Sequence, residues 1–257
     1  MAEILEHAAP PSLNPKVRDL PWYTPFAWLR HGIADIARLP HGSLFYGLCF
    51  AAMSYTIHAL FDYAPHHILT LVTAFLLAGP FIAIGLYEIS RRSETIEKVR
   101  FLPTLTAWRA NPAGIGLFSI VLALLVAGWM RVSVVIFALF FTDNLPSLEL
   151  ILSPEFLLND NLPFVLVYLG TGLAFAGLTF AISVVSIPLM LDRDVDTFGA
   201  IFASVRVVLA NPLCMATWAL LIALLVAIGF FSYSLGLILT GPLVGHATWH
   251  AYRALIE

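Results

Sequence analysis

Residues Gly114–Phe141 read GIGLFSIVLALLVAGWMRVSVVIFALFF, a run of 28 positions carrying one charge, Arg131. The hydrocarbon core of a bilayer takes about 20 apolar residues of helix, so this stretch is long enough to cross it. Arg131 places the outer edge near Trp129, with Val132–Phe141 continuing into the interface and the guanidinium snorkelling to it or pairing with Asp143 or Asp62. Five further stretches qualify: Leu44–Phe61, Ile68–Ile89, Leu162–Ile187, Leu213–Phe231 and Leu235–Tyr252. All are continuous rather than alternating, which excludes a membrane β-barrel. The sequence therefore predicts an all-α, polytopic membrane protein with six transmembrane helices.

Composition agrees. Of 257 residues, 60% are hydrophobic and 11% charged, and the mean hydropathy is +0.89. Soluble domains average about 45–50% apolar and about 25% charged residues. A net charge of −3 gives no cationic excess for nucleic acid. Two cysteines, Cys49 and Cys214, cannot build a disulfide framework.

Twelve of the 13 basic residues fall on one side of this arrangement, and Arg131 is the exception. By the positive-inside rule both termini are cytoplasmic. Met1–Pro21 holds Glu3, Glu6 and no apolar run, so a secretory signal is not expected there. A tail, residues 1–24, precedes a single membrane domain, residues 25–257.

Inside that domain a pattern recurs three times, over residues 25–92, 93–192 and 193–257. A short amphipathic segment comes before each pair of spans: Pro25–Leu39, Ser93–Arg109 and Thr197–Ala210. Thr24 is placed to cap the first and Pro25 to open it. Pro103 breaks the second, and Asp194 and Asp196 sit at the start of the third, where the helix dipole favours them. Phe26, Leu29, Ile33 and Ile36 share one face, as do Phe198, Ile201, Phe202, Val205 and Leu209. Such segments lie in the headgroup plane. The architecture expected is three hairpins, each preceded by a cytoplasmic interfacial helix. Every amphipathic segment ends at a proline, in Leu39-Pro40, Asn111-Pro112 and Asn211-Pro212. The second span of each pair carries an inner proline, Pro80, Pro188 or Pro242. Eleven positions separate Pro80 from Arg91 and Pro242 from Arg253, which puts Glu88 and His250 in register.

The string Ala78-Gly-Pro-Phe-Ile-Ala-Ile-Gly-Leu-Tyr-Glu-Ile-Ser-Arg-Arg92 resembles a bacterial family of predicted integral membrane proteins of unknown function. So do Leu191-Asp-Arg-Asp-Val-Asp196 and Gly241-Pro-Leu-Val-Gly-His-Ala-Thr-Trp-His-Ala-Tyr-Arg253. Some members of that family are labelled cytochrome c oxidase subunit I. The resemblance implies a bacterial inner-membrane location and an association with respiratory oxidases. A haem–copper core needs about a dozen helices and six deep histidine ligands, which this chain does not supply, so accompaniment of an oxidase is expected rather than its catalysis.

Candidate chemistry gathers at the two membrane faces. His246 and His250, four apart on one helix, form half a metal or haem-edge site, and Glu88, His31 or His41 are the residues to complete it. The competing reading sets both histidines at headgroup level with Trp249, Tyr252 and Arg253 as an interfacial element, with Pro242 setting a bend and Gly245 permitting close helix contact. Glu88 is either a functional carboxylate or the partner of Arg91 and Arg92. On the outer side, His58, Asp62, His66 and His67 combine metal-ligand types with an ordinary turn. No protease, phosphate-loop or hydrolase motif is present, and no enzyme activity or bound cofactor is expected. Gly170, Ala174 and Gly177 share a helix face that allows close approach, within the bundle or to another protein. The function these features favour is that of a non-catalytic accessory or assembly subunit of a larger inner-membrane complex, a respiratory oxidase or supercomplex, in contact with membrane lipids. The runner-up is a small transporter or channel, marked by a polar midplane cavity at the inner prolines. Metal or haem handling through the histidines is third.

Overall fold

Leu39, Asn111 and Asn211 end the three amphipathic segments in nearly the same backbone conformation, with φ/ψ of −136/68°, −149/69° and −126/55°. The next residue in each case is proline, which disfavours the helical region for the residue before it. The chain therefore turns at each junction and a new helix starts with proline in its first turn, where no N–H is needed.

The computed structural model describes residues 16–63, 82–96, 99–141, 156 and 161–257, with backbone alone at 58 and 60–63. In chain order the elements are α1 (Thr24–Arg38), α2 (Pro40–Tyr63), α3 (described over residues 82–93) and a 3₁₀ helix (Leu102–Ala110). They continue with α4 (Pro112–Phe140), α5 (Leu162–Ser183), α6 (Ser186–Asp192), α7 (Thr197–Ala210), α8 (Pro212–Phe231) and α9 (Leu237–Leu255). The fold is all-α, and an antiparallel bridge joins Val17 to Ile256.

Among the described residues three stretches are long and apolar enough to cross a membrane: Pro112–Phe140, Leu162–Asp192 and Pro212–Phe231. The other expected spans differ. α2 and α9 are helices of 24 and 19 residues, but Ser54 and Thr56 in one, and Thr240, His246, Thr248 and His250 in the other, interrupt their apolar runs. Residues 68–81 of the second expected span lie outside the described residues. The fourth is not one helix, because α5 stops at Ser183 and α6 restarts after Val185. Ser204 of α7 compensates that break: its hydroxyl donates to the Ala181 carbonyl (2.7 Å) and accepts from the Val185 N–H (3.4 Å). Broken helices persist in apolar surroundings when neighbouring groups satisfy the freed backbone in this way.

The amphipathic segments largely form as read. α1 and α7 turn Phe26, Ile33, Phe198, Phe202 and Leu209 outward while Trp28, Gly32, Ala203 and Val207 are buried. Asp196 caps α7 by accepting from Gly199 N–H (3.1 Å). Thr24 does not cap α1; it lies within the helix, and its hydroxyl donates to the Pro21 carbonyl (2.8 Å). The second segment is shorter and tighter than expected, a 3₁₀ helix that begins at Leu102 with Pro103 in its first turn, in keeping with a break at that proline. The Ser232–Ser234 turn is tight, with left-handed Tyr233 (φ 53°) and Ser234 (φ 65°), and Ser54 of α2 shares a 2.7 Å hydrogen bond with Ser234.

The three junctions engage one another in a ring. Leu39 of the first unit packs with Val99 and Phe101, which lead into the second. Asn111 of the second donates to the Val195 carbonyl (3.0 Å), just ahead of α7 in the third. Asn211 of the third donates to the Arg18 carbonyl (3.0 Å) and accepts from Leu20 N–H (2.7 Å), just ahead of α1 in the first. The bridge between Val17 and Ile256, and the Arg18 N–H bond to the Leu255 carbonyl (2.9 Å), close the circle.

Inside the ring, buried parts of α3, the α5–α6 junction and the end of α9 form one layer that includes Ile84, Val185, Leu189, Trp249 and Tyr252. α9 packs against α1, α2 and α8. Two glycines set these distances. A Cβ on Gly47 of α2 would collide with the Ile238 backbone of α9, and one on Gly245 would meet Leu86 Cδ1 of α3 at 2.5 Å. Backbone cannot move aside as a side chain can. Gly47→Ala is therefore expected to cost at least the ~1–3 kcal/mol typical of overpacking, read as a lower Tm in detergent. Gly170→Ala, with no described atom within 4 Å of its Cβ, should hold or raise the Tm, since alanine is favoured by about 1 kcal/mol in a helix.

Candidate functional site

At the end of the bundle where α1 lies, four helices bring their polar side chains to one buried cluster. Its centre is His246 of α9, fully buried, with Nε2 2.9 Å from Ser43 Oγ of α2 and Nδ1 2.8 Å from Ser90 Oγ of α3. Ser43 also donates to the Leu39 carbonyl (3.0 Å). On the neighbouring α1, Asp35 Oδ2 is 2.7 Å from His250 Nε2 of α9. Arg38 lies 3.5 Å from the other Asp35 oxygen, and the His31 ring is 5.1 Å from that of His250.

Two satellites flank the cluster. Glu88 is held by Arg91 Nε (2.7 Å) and Arg92 Nε (2.6 Å) of its own helix. Glu94 accepts from Trp249 Nε1 (2.8 Å) and pairs with Arg253 (3.3 Å), which also lies 3.5 Å from Asp192. Tyr252 donates to that same Asp192 (2.6 Å). Arg253 thus joins carboxylates that follow the inner helices of the other two units.

His246, His250 and Glu88 do share this layer, but they do not converge. Both ring nitrogens of His246 serve serines, Glu88 faces its arginines, and His250 bonds Asp35. Among the described residues no three His, Cys, Asp or Glu side chains are placed to hold a metal. His66, His67, the His58 side chain and Pro80 lie outside the described residues. Pro188 is buried in α6 and Pro242 in α9. In the Gly241–Arg253 string Arg253 is half-exposed, whereas His246, Trp249 and Tyr252 are buried inside the protein. Burial is possible because each polar atom has a protein partner, the condition for removing such groups from water. Sequence reading missed Asp35, Ser43 and Ser90. Trp28, Gly32 and Asp35 make a second stripe on α1, opposite the apolar one, and that spacing is a usable signal; nothing local marks the serines.

Beyond the polar layer lies a cavity of about 600 Å³. Tyr87, Trp218 and Thr248 line it beside the layer, and Phe230 and Leu237 lie at its other end. Among the described lining residues none is a proline and none is charged. Trp218 Nε1 is buried without a hydrogen-bond partner, and among the described residues none is formed by the Tyr87 hydroxyl either.

Long apolar helices around a satisfied polar layer, with apolar side chains such as Leu124, Leu139, Leu173 and Phe231 exposed, define an integral membrane protein. Residues 68–192 match the model of a family described as predicted integral membrane protein (DUF2189), and over that stretch the chain is similar to it. No curated protein and no solved structure matches the chain.

Burial raises the Asp35 carboxyl, but hydrogen bonds from His250 and Ser90 and the attraction of the His250 and His246 rings outweigh it and leave the group below its ordinary value. A depressed carboxyl contributes stability above its unfolded pKa, about 3.9, and loses it as pH falls through the folded value. The Tm in detergent should accordingly drop as pH is lowered below about 4. Asp35→Asn should show a lower Tm at neutral pH and a shallower acid limb; an unchanged acid limb would place the titrating group elsewhere.

Proposed function

We propose that the protein is a non-catalytic accessory or assembly subunit of a larger complex in the bacterial inner membrane, with both termini cytoplasmic. The observation that carries this reading is the free face of α5. Gly170, Ala174 and Gly177 are exposed on one side of the helix, and no described atom lies within 4 Å of a Cβ on either glycine. The helix packs on α4 through its other side, where Gly172 and Phe175 meet Trp129. Small residues in membrane helices serve close helix approach, and this stripe is not used within the described fold. The satisfied polar layer agrees, since catalysis or ion passage needs a reachable titratable group. The oxidase as the particular complex rests on the family resemblance seen in the sequence.

Gly170→Leu and Ala174→Leu should lower co-purification of partner proteins in mild detergent while the subunit itself accumulates at wild-type level. Deletion should reduce the amount of a respiratory complex and leave its chemistry intact. Full recovery of partners with both variants would exclude the α5 face. Orientation is tested by single cysteines: an impermeant reagent added to intact cells should label Ser232→Cys and spare Ser93→Cys.

A further inference from the structure

We propose that the cavity beyond the polar layer is a binding site for one acyl chain of a bilayer lipid, with the ester carbonyl of that chain hydrogen-bonded to the Tyr87 hydroxyl. The volume of about 600 Å³ is in the range of ligand pockets, which are mostly apolar with a few placed polar groups. Its shape follows from α9, where Leu237, Gly241, Val244 and Thr248 line it as a single stripe. At 1.5 Å per residue that stripe is about 16 Å long, half of the ~30 Å hydrocarbon thickness, which is the depth of one leaflet.

The polar end is set by Tyr87. Its residue is buried, it lines the cavity, and its hydroxyl has no hydrogen-bond partner among the described residues. An unpartnered hydroxyl at the wall of a cavity calls for an acceptor, and with no charge among the described lining residues that acceptor is neutral. Tyr87 also precedes Glu88, whose partners Arg91 and Arg92 mark the end of α3 at the polar layer. The hydroxyl therefore sits a helical turn inside the boundary between charged and apolar surroundings, the depth at which lipid ester carbonyls lie. Apolar pockets take apolar guests, and the guest at hand in a membrane is lipid. This site is independent of the α5 face.

The test uses full-length protein in vesicles of phosphatidylethanolamine and phosphatidylglycerol doped with a phospholipid carrying a photoreactive diazirine on one acyl chain. After illumination, adducts are mapped by mass spectrometry. Adducts are expected on Ile222, Val226 and Val244 inside the cavity as well as on lipid-facing Leu124 and Leu173. Val226→Trp, which fills the cavity, should remove the first set and leave the second. Tyr87→Phe should lower retention of a co-purified lipid about fivefold in native mass spectrometry, as loss of one ordinary hydrogen bond does. Ile222→Phe provides a second filling variant should Val226→Trp fail to fold. Adducts confined to Leu124 and Leu173, or cavity adducts undiminished by filling, would overturn the proposal. Loss of cavity adducts on filling with retention unchanged in Tyr87→Phe would overturn the carbonyl contact.

Discussion

α9 can run through the middle of the protein only because the imidazole it carries there is bonded on both sides. His246 lies between Ser43 of α2 and Ser90 of α3, and the adjacent Gly245, with Gly47 one turn from Ser43, lets the same helices close to contact. These constraints depend on each other. Without the glycines the serines would not reach the ring, and without the serines a buried imidazole would carry the desolvation cost of unpartnered polar atoms, about 1–3 kcal/mol each. Asp35 extends the arrangement to α1, and Arg253 extends it to the ends of α3 and α6. One helix is thereby tied to every unit of the fold at a single depth, while α4, α5 and α8 extend away from that depth and present apolar side chains outward.

The sequence showed what is periodic or punctuated. Helix starts at Pro40, Pro112 and Pro212 were legible because proline acts locally, and the outward stripes of α1 and α7 because amphipathic spacing is local too. The placement of Asp196 at the start of α7 belongs to the same category. What was not legible depends on residues far apart in the chain. The break after α5 is stabilised by Ser204, which no feature near Ser183 announces. The role of His246 is set by serines 203 and 156 positions away. A histidine pair four apart read as half a metal site or as headgroup contacts because both are local readings, whereas the structure joins each histidine to a different distant partner. Asp35 shows the same limit from the other side, lying on a helix whose apolar face drew attention away from its buried one.

The three proline junctions are comparable in backbone, yet they make their contacts with different atoms. At Asn111 and Asn211 a side-chain amide reaches the incoming segment, and at Leu39 an apolar side chain packs on Val99 and Phe101. A carboxamide can satisfy backbone N–H and C=O together, so the two asparagine junctions fix their segments in register. The leucine side chain offers only apolar contact; there Tyr46 of α2 supplies the polar tie, its hydroxyl 2.9 Å from Thr104 Oγ1 of the 3₁₀ helix.

Closure of the ring also sets the order in which the protein can be completed. Residues 16–20 leave the ribosome early, but Asn211, Leu255 and Glu257, which hold them, are made last. Until α9 enters, Ser43, Ser90 and Asp35 face no imidazole, and α1, α2 and α3 must wait without the residue that joins them. Translation proceeds at about 5–20 residues per second, so that interval lasts on the order of ten seconds. During it the nascent chain is a substrate for insertion factors and quality-control proteases, and a truncation that removes only α9 would leave every earlier unit in that exposed condition permanently.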